Sequence, residues 1–154
     1  MAGLVPGRGR WIQRTLNITA ASTFTAGDAL GVAGARTVSL YSGGAPNFLG
    51  IAGGNSANSL PAGQMVVIIP NGPECTLIAN LPTGLAQSAV SFGESVGLYA
   101  VGGSTSYVTT SYTSDTGRPF FVAGQAINST NSTLELGFKP NTGVYGSAVS
   151  GLFA

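Results

Sequence analysis

The chain has 154 residues and a mass of 15.3 kDa, a size that fits one domain with a buried core. Only 7% of its residues are charged, against about 25% in an ordinary soluble domain, yet 44% are hydrophobic, so compositional disorder is excluded. A net charge of +1 excludes a general attraction to nucleic acid or anionic lipid, and so little charge to keep copies apart points to permanent contacts, in an oligomer or a lattice.

From the N-terminus, residues 1–15 combine Gly3, Pro6, Gly7 and Gly9 with Arg8, Arg10, Trp11 and Arg14, and no acid occurs before Asp28. This stretch is predicted to be an extended basic arm that orders on docking, with Trp11 as its apolar anchor and the arginines pairing with a partner surface. Three arginines without a second basic patch make a weak nucleic-acid footprint, so the expected partner is protein and not nucleic acid. The polar run Thr15-Leu16-Asn17-Ile18-Thr19 follows the charges where a signal peptide would be apolar, which predicts synthesis in a cytoplasm.

Residues 16–139 are punctuated by glycine and proline, and no window keeps apolar residues at i, i+3, i+4 and i+7 over three turns. Runs of β formers predict ten strands, at 16–20, 30–33, 37–41, 48–52, 65–70, 75–79, 96–101, 107–110, 120–123 and 133–138. A short helix or a loop across a barrel mouth is expected at 85–91. Met65-Val66-Val67-Ile68-Ile69 does not alternate, so both its faces should be covered and it belongs near the centre; it is also far too short to span a bilayer. Cys75, the only cysteine, lies in an apolar run and reads as a small buried hydrophobe, with no disulfide or thiolate metal site to build. In Thr133-Leu134-Glu135-Leu136-Gly137-Phe138 alternation sends Leu134, Leu136 and Phe138 to a core and Glu135 to water or a partner.

An internal echo organises these strands. Ala26-Gly27-Asp28-Ala29-Leu30-Gly31-Val32 returns as Phe92-Gly93-Glu94-Ser95-Val96-Gly97-Leu98, and each copy is followed by two further strand runs. The expected fold is all-β, a compact barrel or sandwich built from a duplicated three-stranded unit. Gly27-Asp28 and Gly93-Glu94 should be matching structural turns, with Leu30 and Val96 pointing into one core.

Catalytic patterns are thin. Gly93-Glu94-Ser95-Val96-Gly97 matches a hydrolase nucleophile elbow in letters, but the chain has no histidine to serve as base and the copy at Gly27 has alanine at the serine position. Asp28, Glu74, Glu94, Asp115 and Glu135 are scattered among turns and not gathered at ligand spacing, so no metal, cofactor or enzymatic activity is expected. Residues 140–154 form a second predicted arm, with Tyr145 and Phe153 as its anchors.

Thr25-Ala26-Gly27-Asp28-Ala29-Leu30, the return strand Leu49-Gly50-Ile51-Ala52, the turn Leu60-Pro61-Ala62-Gly63-Gln64 leading into Met65–Ile69, Gly93-Glu94-Ser95-Val96-Gly97-Leu98 and Phe121-Val122-Ala123-Gly124-Gln125-Ala126 together resemble the phage head decoration, or capsid cement, proteins. The resemblance covers about residues 18–138. It implies a structural virion protein on the capsid exterior, a homotrimer that braces the shell by binding major capsid proteins with its terminal arms. The alternative is a receptor- or carbohydrate-binding module of a phage tail fibre or an adhesin, in which Tyr99, Tyr107 and Tyr112 would supply the aromatic surface.

Overall fold

A computed structural model of the protein describes residues 3–18, 24–41, 48–54, 63–72, 74–81, 91–101, 105–109, 118–125 and 133–139. These residues are all-β and form eleven strands: β1 (Val5–Pro6), β2 (Trp11–Ile18), β3 (Ala29–Gly34), β4 (Thr37–Leu40), β5 (Phe48–Ala52), β6 (Gln64–Pro70), β7 (Thr76–Asn80), β8 (Ser95–Val101), β9 (Thr105–Thr109), β10 (Phe120–Gln125) and β11 (Thr133–Phe138). Each of the ten predicted runs overlaps one of β2 to β11, with Tyr41 and Cys75 just beyond the strand ends and residues 19–20 and 110 outside the described residues. The expected helix or loop at 85–90 falls outside the described residues, and Ser91 opens the turn into β8.

The duplication is larger than a three-stranded unit. Strands β2 to β6 close a barrel in the order β2-β4-β3-β5-β6, with β2 parallel to β4 and antiparallel to β6. Strands β7 to β11 repeat this arrangement strand for strand, in the order β7-β9-β8-β10-β11, with β7 parallel to β9 and antiparallel to β11. The second set returns on itself through a single parallel pairing of Asn80 with Tyr107. Each half of the chain therefore forms its own five-stranded ring.

The matching turns sit where the echo places them. Asp28 N–H donates to the Thr25 carbonyl, and Thr25 N–H donates back to Asp28 Oδ2, at 3.0 and 2.8 Å. Glu94 N–H and Ser91 carbonyl repeat the first bond at 3.0 Å, and Ser91 N–H reaches Glu94 Oε1 at 3.4 Å. Gly27 and Gly93 take the third position of these four-residue turns with φ of 94° and 84°, the left-handed position that a type II turn reserves for glycine. Both turns hang from equivalent strands: Gly27 N–H donates to Ala52 and Gly93 N–H to Val122, while Ala52 and Val122 N–H groups donate back to Asp28 and Glu94.

Leu30 and Val96 are both fully buried but do not share one core, because each repeat closes round its own interior. Leu30 lies in a cluster with Leu16, Val38, Met65, Val67 and Ile69, inside the first barrel. Val96 lies in a second cluster with Leu98, Phe120, Leu134, Leu136 and Phe138, and this cluster also takes Ala29, Phe48 and Ile51 from the first barrel. The two barrels are thus welded by apolar contact. Phe48 of β5 meets Phe120 edge-on at 5.2 Å and stacks on Phe138 at 6.0 Å. Strand β6 runs between the clusters, with Met65, Val67 and Ile69 in one and Ile68 packed against the other, as its unbroken apolar run predicts.

Candidate functional site

The basic N-terminal segment is laid on its own molecule. Leu4 is buried in the second cluster, and its N–H donates to the Gly27 carbonyl at 2.8 Å. Val5 and Pro6 then pair with Ile78 and Leu77 of β7. Gly7 N–H donates to the Thr76 carbonyl at 2.7 Å, and Thr76 N–H to the Arg8 carbonyl at 3.0 Å. The strap continues with the Arg10 carbonyl, which accepts Asn71 N–H and the Cys75 thiol, each at 3.0 Å. It ends where Trp11 opens β2, so residues 11–15 belong to the first barrel and not to an arm. The physical reason is long-range: β7 offers backbone groups that the strap satisfies, and β6 pairs with β2 along its length from Trp11 to Asn17.

Under the strap, Arg8 Nε lies 3.2 Å from Glu135 Oε2; the arginine side chain is 81% exposed and the carboxylate 6%. Thr76 Oγ1 donates to the same carboxylate oxygen at 2.9 Å and accepts Arg8 N–H at 2.7 Å. Glu135 does leave the core face of β11, as alternation requires, but the strap and not water receives it. This cluster is consumed in holding the N-terminus.

Trp11 is half-buried, with its ring 6.1 Å from that of Phe138 and its indole N–H donating to the Arg8 carbonyl at 3.3 Å. It is an anchor within the molecule, not a free one. Arg10 and Arg14 are exposed. On β2 the consecutive residues Gln13, Arg14 and Thr15 are all exposed, because β6 covers one edge of the strand whereas β4 reaches the other only at Asn17 and Ile18. The matching edge of β7 is the one that β1 fills. The first barrel therefore keeps an edge, at Gln13–Thr15, without a partner strand among the described residues, flanked by Arg10 and carrying Arg14. That basic, unpaired edge is the candidate site. Sequence reading singled out its arginines but not the strand that carries them; the uninterrupted polar triplet beside Trp11 was the available signal.

The remaining candidates are placed as follows. Asp28 is buried, and burial pushes its carboxyl above the ordinary 3.8 while the Thr25 N–H pulls the other way. Ser95 leads from its turn into a strand, so the strand-to-helix geometry of a nucleophile elbow is absent there. Among the described residues no three His, Cys, Asp or Glu side chains gather. The register sets Tyr99 opposite Tyr107 on β8 and β9. Tyr112, Asp115, Tyr145 and Phe153 lie outside the described residues. No family model and no curated protein matches the chain.

Proposed function

We propose that the protein is a structural virion component of the head-decoration class, which binds the outer surface of major capsid proteins as a homo-oligomer, most simply a trimer, and stabilises the shell. The observation that carries this reading is the edge of β2 at Gln13–Thr15, which no strand among the described residues covers on the side away from β6, beside exposed Arg10 and Arg14, whose own Nη1 caps the Gln13 carbonyl at 3.2 Å. Strand addition to such an edge supplies main-chain hydrogen bonds, and arginines flanking it select a segment that carries carboxylates. A scarcity of surface charge suits permanent assembly. Two barrels joined by a shared aromatic cluster make a rigid brace.

The test is cosedimentation with capsids that lack the protein, alongside light scattering of the protein alone. Wild type should bind saturably, and Arg10→Glu with Arg14→Glu should weaken binding at least about tenfold, a loss of about 1.4 kcal/mol. Undiminished binding by the double variant removes the edge from the mechanism, and failure of wild type to bind any capsid removes the class. A second reading, a glycan-binding module, draws on the Tyr99–Tyr107 pair; saturable glycan binding lost in Tyr107→Ala would replace the first.

A further inference from the structure

The two repeat turns are alike in bonding and unlike in cover. At the first, the strap seats Gly3 against Gly27, backbone to backbone: a methyl group added at Gly3 would stand 3.0 Å from Gly27 Cα, and one added at Gly27 would stand 3.1 Å from Gly3 Cα. Leu4 then carries its side chain into the core while its N–H takes the Gly27 carbonyl. The seat thus reads a Gly-Leu pair: glycine for approach, leucine for burial. At the second turn a similar φ and the same pattern of hydrogen bonds are present, but among the described residues a methyl group at Gly93 would meet nothing within 4 Å, and Phe92 is 80% exposed. An aromatic side chain left this bare at a preformed turn marks a contact surface.

We infer that this second turn is a seat for the C-terminal segment Gly151-Leu152-Phe153 of the same chain, docked on Gly93 as Gly3-Leu4 docks on Gly27. Gly151-Leu152 repeats the pair that the first seat holds, Phe153 supplies an apolar side chain for Phe92, and residues 140–154 carry no charged side chain that burial would penalise. Reach is ample. Lys139 N–H donates to the Pro119 carbonyl and Gly93 N–H to that of Val122, three residues farther along the chain in β10, with β8 two strand positions from β11. The gap to bridge is therefore about 14 Å, and residues 140–150 extend to about 36 Å. Gly97-Leu98 is already inside β8, and Gly84-Leu85 is the competing pair.

The protein carrying Ser91→Cys and Ala154→Cys, which keeps Phe92, Gly151, Leu152 and Phe153 in place, with native Cys75 buried, tests this through a short bismaleimide and intact-mass analysis at submicromolar concentration. The expected product is an internally bridged monomer, formed at least about tenfold faster than in the same pair with Gly151→Val, whose added side chain blocks the backbone approach. Amide exchange gives an independent readout: peptide 148–154 should exchange at least about tenfold more slowly in wild type than in Gly151→Val, at equal melting temperature. Bridged dimers would assign the seat to a second copy and overturn the inference. Equal bridging and equal exchange in the two proteins would overturn it as well.

Discussion

Gly27 and Gly93 have the same backbone conformation and different surroundings, so the same substitution separates strain from contact. Alanine at Gly93 forces a left-handed φ with open space around it among the described residues, and should cost about 1 to 2 kcal/mol. Alanine at Gly27 adds a methyl group 3.1 Å from Gly3 Cα and must lift the strap, so urea titration should show it costlier by about 1 kcal/mol or more. Equal losses would mean that the strap yields freely. Asp28, next in the same turn, titrates against burial. Its raised pKa means that between 3.8 and that value the folded state holds a proton the unfolded state has released, so stability falls as pH rises through the window. Asp28→Asn keeps an oxygen for Thr25 N–H and does not ionise. It should flatten that part of the pH profile and be at least as stable as wild type at neutral pH, whereas Asp28→Ala leaves the N–H unpaired and should lose about 1 to 2 kcal/mol.

At the scale of the elements, the strap depends on partners that are distant in the chain. Arg8 is mostly exposed, so its ion pair with Glu135 is screened, and Arg8→Ala should cost no more than about 1 kcal/mol. Glu135→Gln in the Arg8→Ala background should recover part of this, because the buried group then carries no charge; a double variant no better than Arg8→Ala would show that Thr76 alone suffices for the carboxylate. These dependencies also mark what sequence could carry. The ten strand runs and the turn echo were legible because alternation, β-branched residues and glycine placement are local. β1 was not, since two residues become a strand only through β7. The first half of β2 was hidden by Gln13-Arg14-Thr15, whose lack of alternation reflects an edge that no strand among the described residues covers and not the absence of strand structure. Likewise Glu135 pointed away from the core as its spacing said, and only the strap's path explains its burial.

For the whole molecule, the separate closure of two barrels raises the question of whether they unfold together. Each ring is closed by strands far apart in sequence, β6 on β2 and β11 on β7, which is why the pattern alone suggested one core. The apolar clusters decide the energetics. Phe48 belongs to the first barrel by chain and strand pairing, yet its ring sits among Tyr41, Phe120 and Phe138 in the cluster that fills the second. Neither barrel can lose its order without exposing that shared surface, so heating should give a single transition with equal calorimetric and van't Hoff enthalpies. Phe48→Ala leaves a cavity at the junction and should cost about 3 to 5 kcal/mol, with the loss felt by probes in both halves. Phe24, buried in the first cluster alone, is the control: Phe24→Ala should cost a similar amount but leave the two halves melting together. Two resolved transitions in wild type would show that the junction is too weak to couple the barrels, and the rigid brace proposed for capsid binding would lose its mechanical basis.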